Sequence, residues 1–307
     1  MHIRIDLMAL ATTTSLFLGA CAQTPAPGNA PARGPVAWEE IAALPIPPAD
    51  HRTEYGDGPL QFGELRLPRG AGPHPVAVII HGGCWRSQYD LQHISHASDA
   101  LSHAGIATWT IEYRRLGNPG GGWPGTFQDV ARGTDHLRLL AERFQLDLSR
   151  VALVGHSAGG HLALWLAARG NLPAQSPLYS PDPLPIRGVV ALAGITDLRT
   201  YGAGTGSCNA AVVPLLGGTP EEVPDRYEQA NPIELLPLGA PQRLLHGTRD
   251  PIVPVEQSQH FAARATSLGD DAEVWLIDGA GHFDPVAPFA PAWTRVEEAV
   301  RSLLSVR

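Results

Sequence analysis

The chain has 307 residues, 44% of them hydrophobic and 17% charged, which is enough apolar content for one sizeable globular core. A net charge of -8 without any lysine/arginine cluster excludes a partner recognised through its phosphates, such as a nucleic acid. No internal repeat interrupts the chain, so the elements can be taken in order as parts of one unit.

His2 and Arg4 precede a mostly apolar stretch over residues 7–20, shorter than the roughly 20 apolar residues that span a bilayer as a helix. A weakly basic start, a short apolar run and small residues at its end describe a secretory signal. The stretch closes on Leu18-Gly19-Ala20-Cys21, which resembles the bacterial lipobox and implies that Cys21 becomes the lipidated first residue of the mature chain. A plain cleavable signal with an incidental Cys21 is the alternative. Prolines at 25, 27, 31, 35, 45, 47 and 48, spaced by alanine and glycine, then predict an extended spacer that buries too little apolar surface to fold. A packed arm beginning near Trp38 and Ile41 is the bland alternative. The expected organisation is a signal over 1–20, a tether over 21–50 and one folded domain over 51–307. The protein is then exported, periplasmic, and attached to the outer membrane only through its N-terminal lipid, since Ala22 lacks the aspartate that resembles an inner-membrane retention signal.

From residue 60 the pattern becomes regular. Residues 60–67 alternate apolar and polar, which predicts a half-buried early strand. Continuous apolar runs at 76–80, 106–111, 151–154, 189–192, 243–245 and 274–277 predict strands buried on both faces. Between them, residues 99–103 close one helix, and Val130, Leu137, Leu140, Ala141 and Phe144 share the face of another. Leu162, Ala163, Leu166 and Ala167 mark a third, and 257–268 and 293–304 complete the set. Buried strands alternating with amphipathic helices predict an α/β fold, with a mainly parallel central sheet and helices on both faces. Ligands of such sheets bind beyond the carboxyl ends of the strands.

The unusual residues fall at those ends. Gly155-His156-Ser157-Ala158-Gly159 follows the run 151–154 and precedes a helix, which is the strand–turn–helix context of a G-x-S-x-G nucleophile elbow. Ser157 is the candidate nucleophile, and a serine hydroxyl needs a base beside it. His246-Gly247-Thr248-Arg249-Asp250-Pro251 follows the run 243–245 and presents Asp250; Gly279-Ala280-Gly281-His282-Phe283 follows 274–277 and presents His282. Their order, Ser then Asp then His, is the order of a triad on this kind of sheet. His81-Gly82-Gly83-Cys84-Trp85 follows 76–80, where a second oxyanion donor is required, so Gly83 or Cys84 joins the N–H of Ala158. Asp197 is a possible substitute acid but reads first as a turn residue, and Asp129 and Asp135 read as surface or capping residues. Thirteen histidines, among them His93, His96 and His103, show no H-E-x-x-H or cysteine–histidine spacing, so neither a metal nor any other cofactor is expected. Residues 201–227, rich in glycine, proline and small side chains, predict a lid or wall that brings Cys208 near the pocket. Cys84 and Cys208 are read as two buried free thiols, with a disulfide as the alternative.

HGGCW, GHSAGGH, the run from Gly122-Trp123-Pro124-Gly125 to Val130, HGTRDPIVP and GAGHF together resemble a broad esterase group of the α/β-hydrolase fold. That group comprises hormone-sensitive-lipase-like, kynurenine-formamidase-like and bacterial feruloyl-esterase-like proteins. The resemblance covers roughly residues 60–305, and HGGCW is closer to the HGGxW of the formamidase-like members than to HGGG. It implies hydrolysis of a small-molecule acyl ester or amide through an acyl-enzyme on Ser157, and leaves the acyl group and oligomeric state open. An aryl-formamidase or peptidase-like amide hydrolase and a non-catalytic binding protein are the alternatives.

Overall fold

A computed structural model describes His2 and residues 34–306, so the apolar stretch 7–20 and Cys21 lie outside the described residues. The strands are β1 (His51–Glu54), β2 (Phe62–Arg66), β3 (His74–Ile80), β4 (Ala107–Ile111), β5 (Leu146–His156), β6 (Gly188–Leu192), β7 (Gln242–Gly247) and β8 (Ala272–Ile277). The helices are α1 (Trp38–Ala42), α2 (Ser95–His103), α3 (Gly125–Asp135), α4 (Leu137–Phe144), α5 (Ala158–Ala167), α6 (Leu198–Gly202), α7 (Val212–Leu216), α8 (Pro224–Ala230), α9 (Glu256–Ser267) and α10 (Trp293–Leu304). The strands form one sheet in the order β1-β2-β4-β3-β5-β6-β7-β8. The pairs β1/β2 and β2/β4 are antiparallel and all later pairs are parallel.

The apolar runs do what their continuity requires. In β3, Val76, Val78 and Ile80 point into one core while Ala77 and Ile79 point into the other, since successive side chains leave a strand on opposite faces. Helices α3, α4, α5 and α9 cover the first core. Helices α2 and α10 cover the second, joined by Val36 and Ile41 of the N-terminal arm. Both layers are therefore filled around β3, β5 and β6, and this places the carboxyl ends of those strands along one edge of the molecule.

Several local expectations change. Residues 62–66 are almost wholly buried rather than half-buried, because β2 lies between β1 and β4 and the Trp109 ring covers Gly63. β8 is an edge strand, half-exposed, with Leu276 48% accessible. The helical face drawn from Val130 to Phe144 is divided at His136 into α3 and α4. Asp129 is not a surface residue. It is fully buried on α3 and accepts hydrogen bonds from Arg114 through Nε (2.7 Å) and Nη2 (2.7 Å), and from Gln61 (2.7 Å). Asp135 is partly buried and holds the guanidinium of buried Arg169 at 2.8 Å through both oxygens.

Of the tether drawn over 21–50, residues 34–50 belong instead to the compact unit that begins at Gly34, and the rest lies outside the described residues. Val36 and Ile41 are apolar side chains with a core to enter, and they are buried to 4% and 1% accessibility. The two thiols expected to be free are instead joined: Cys84 and Cys208 form a disulfide with their Cα atoms 5.0 Å apart. Their 124-residue separation makes the cross-link a strong constraint on the unfolded chain, of about 5 kcal/mol in the chain-entropy picture.

Candidate active site

β5 ends and α5 begins on either side of Ser157, whose backbone adopts φ 55° and ψ −119°. A non-glycine residue in that region costs roughly 1–3 kcal/mol, a strain that clusters at functional sites. The flanking glycines have specific reasons. A Cβ on Gly155 would run into the carbonyl of Gly159, and one on Gly159 into the carbonyls of Ile80 and His81. The turn is pinned from the next strand by Ser157 N–H donating to Leu192 O at 2.9 Å.

Asp250 and His282 come together across the ends of β7 and β8. The His282 Nδ1–H donates to Asp250 Oδ2 at 2.7 Å, and the two side chains are 4% and 1% accessible. A carboxylate can only accept, so the proton is on Nδ1 and the Nε2 lone pair is the free basic nitrogen. The other carboxylate oxygen, Oδ1, accepts the N–H groups of Ile252 (2.8 Å) and Val253 (2.9 Å). Burial alone would raise the Asp250 pKa. Hydrogen bonds from His246 and His282, together with the Val253 N–H, outweigh it and hold the carboxyl well below the usual carboxylate range. His246 is fully buried, lies 3.4 Å from Asp250 Oδ2, donates through Nε2 to Val253 O (2.9 Å) and accepts from Ser258 Oγ at Nδ1 (2.7 Å).

Ser157 and His282 line one cavity of about 700 Å³, with Gly83 and Cys84 on the same wall. Gly83, Cys84 and Trp85 all have positive φ, at 107°, 52° and 53°. Three consecutive left-handed residues bend this loop sharply where it meets the cavity. Ala158 is the first residue of α5, so its N–H is one of the donors a helix leaves free at its start. The second wall comes from residues 204–209, and with it Cys208, as the composition of 201–227 predicted. Asp197 is elsewhere occupied. It caps α6 by accepting from Arg199 N–H (3.0 Å) and also accepts from Asn231 (3.0 Å).

Residues behind the HGG loop hold it in place although their motifs did not announce it. His81 stacks on Tyr113 at 4.3 Å and lies 3.2 Å from Glu112, which in turn pairs with Arg115 at 2.8 Å. Glu112 also accepts the N–H of Leu91 (3.1 Å), while the Tyr113 hydroxyl donates to His81 O (2.8 Å). The run Glu112-Tyr113-Arg114-Arg115 directly after the buried strand β4 was the available signal. Trp85 Nε1–H donates to His161 Nδ1 at 3.2 Å, which ties this loop to the helix that follows Ser157.

A row of buried histidines leads to the backbone of His282. His156 donates through Nε2 to the carbonyl of His282 (2.8 Å) and accepts at Nδ1 from His93 Nε2 (2.7 Å). Burial, and after it the neighbouring His282, pushes His156 down to about 3; burial pushes His161 down to about 4 and His93 well below its ordinary value. These three are neutral in the folded chain, whereas the unfolded chain protonates each near 6.5. Depressed folded values give stability that is complete above 6.5 and is lost as the pH falls toward the folded values. The melting temperature is therefore expected to decline steadily from pH 6.5 toward about pH 4, before most carboxylates titrate. Thermal unfolding across a pH series tests this, and a flat profile over that window contradicts it.

Residues 64–265 match the family described as BD-FAE. The chain is 30% identical over 244 residues to esterase LipC of Mycobacterium tuberculosis, covering 75% of this chain and 59% of that protein. It is 27% identical over 243 residues to a probable isoprenylcysteine alpha-carbonyl methylesterase of Arabidopsis thaliana, covering 75% of this chain and 50% of that one. The chain thus spans little more than half the length of the curated relatives it matches. Among solved structures it is similar to inhibited esterase B from Lactobacillus rhamnosis, with a TM-score of 0.73, 21% identity, and coverage of 88% of this chain and 91% of that one. At that identity the likeness speaks for the fold, which is the α/β-hydrolase fold that the motifs implied. The BD-FAE match takes in the elbow, the HGG loop and the turn of Asp250, and the chain belongs to that family.

Proposed function

We propose that the chain is a carboxylesterase that cleaves acyl esters through an acyl-enzyme on Ser157. The observation that carries the reading is the Ser157 elbow, which opens into the cavity that also receives His282 in its Asp250-bonded form. His282 Nε2 takes the Ser157 proton as Oγ attacks the ester carbonyl. The N–H of Ala158 and that of Gly83 or Cys84 stabilise the oxyanion, each donor contributing about 3 kcal/mol. The carbonyl re-forms, the C–O bond to the alcohol breaks, and His282 protonates the leaving oxygen. Water, deprotonated by His282, repeats the addition and frees the acid. The names of the esterase relatives support ester over amide bonds.

The Cys84–Cys208 disulfide and the lipobox-like Leu18-Gly19-Ala20-Cys21 support an exported, lipid-anchored protein, because disulfides persist in oxidising compartments. Turnover of nitrophenyl esters from acetate to laurate, beside N-formyl amides, tests the function. Short esters are expected to turn over fastest, with a fluorophosphonate probe labelling Ser157. Failure of every ester together with no label overturns the reading, and turnover of the amides alone replaces it with an amide hydrolase.

A further inference from the structure

We infer that the arm of residues 34–41 belongs to the active site: Trp38 walls the substrate cavity and, together with Val36, sets the position of His282. This rests on the esterase reading above. Trp38 and Glu39 line the same cavity as Ser157 and His282. The Trp38 ring stacks on His93 at 5.0 Å and 19°, and lies 5.8 Å from Phe283, the residue after His282. From His93 the contact passes to His156 (2.7 Å) and from His156 to the carbonyl of His282 (2.8 Å). Trp38 thus backs a chain of hydrogen bonds that ends on the backbone of the base.

The second hold comes from Val36. Its N–H donates to Asp284 Oδ2 at 2.9 Å, and that same oxygen accepts the N–H of Gly281 at 2.9 Å. The carboxylate of Asp284, two residues after His282, therefore holds the residue before that histidine, and the arm is the second partner of that oxygen. Pro35 closes against Gly281, where an added Cβ would stand 2.7 Å from the proline Cβ. Burial of Val36 and Ile41 keeps the arm in place. A base displaced by a fraction of an ångström loses rate steeply, because the attack geometry is narrow. Removing the ring therefore acts on kcat through His282 and on acyl-chain preference through the cavity wall.

The test uses the chain with Trp38→Ala, Trp38→Phe and Trp38→Leu, each assayed for kcat and KM across the acetate-to-laurate series. Trp38→Ala is expected to lower kcat on acetate about tenfold and to shift preference toward longer acyl groups, with Trp38→Phe restoring most of kcat. If Trp38→Ala does not accumulate folded, Trp38→Leu keeps the apolar bulk without the ring, and the same loss of kcat is expected. A lower melting temperature with kcat, KM and chain-length preference all within about twofold of wild type overturns the inference, since that is what a merely structural tryptophan would show. Wild-type turnover in the same assay separates the two readings. An active wild type with unmoved variants overturns this inference alone, while an inactive and unlabelled wild type overturns the esterase reading and this inference with it.

Discussion

Ser157→Ala is expected to lower kcat on a nitrophenyl ester by about 10⁵-fold or more, and to abolish fluorophosphonate labelling, while the melting temperature stays near that of wild type. The size follows from the reading of the site: without Oγ there is no acyl-enzyme, and only the oxyanion donors and binding remain. The near-constant stability follows from the backbone. Alanine at φ 55° carries much the same strain as serine, and the Ser157 N–H still donates to Leu192 O. Steady-state kinetics on purified protein measure the effect. Residual activity above about one hundredth of wild type would mean that some other group is the nucleophile.

Asp250→Asn is the second large effect, with kcat expected to fall by about 10⁴-fold, the size seen when a triad acid becomes an amide. The asparagine oxygen can still accept the N–H groups of Ile252 and Val253, so the turn keeps its shape. Its NH₂ group then faces His282 Nδ1 and donates to it, which moves the histidine proton to Nε2 and removes the lone pair that must receive the Ser157 proton. The same NH₂ faces His246 Nε2–H, so two donors meet and the variant should also melt at a lower temperature. Comparing kcat with the rate of Ser157 labelling separates these effects. Loss of stability with kcat reduced less than tenfold would mean that Asp250 serves only the turn.

Much of the layout was legible because it depends on short-range chemistry. The runs at 76–80, 151–154 and 189–192 lie within β3, β5 and β6, since an uninterrupted apolar strand has no face to turn to water. GHSAG is readable as an elbow because the steric need for Gly155 and Gly159 is local to the turn. Where the reading failed, the deciding partner was distant in sequence. Asp129 looked like a helix-surface residue until Gln61 and Arg114 were brought to it. The free thiols became a disulfide across 124 residues. β8 carries an apolar run but lies at the sheet edge, a position set by strand order.

The sequence by itself determined the alternation of strand and helix, the place of Ser157, and the candidates Asp250 and His282, because periodicity, glycine sterics and residue chemistry act within a few residues. Only the tertiary structure decided what surrounds them. Glu112 held against His81 behind the HGG loop, Val36 joined to Asp284 beside His282, and Trp38 stacked beside the His156 row are each assembled from segments tens to hundreds of residues apart. No local pattern encodes such contacts, since they arise where the sheet order and the burial of both its faces bring the strand ends together.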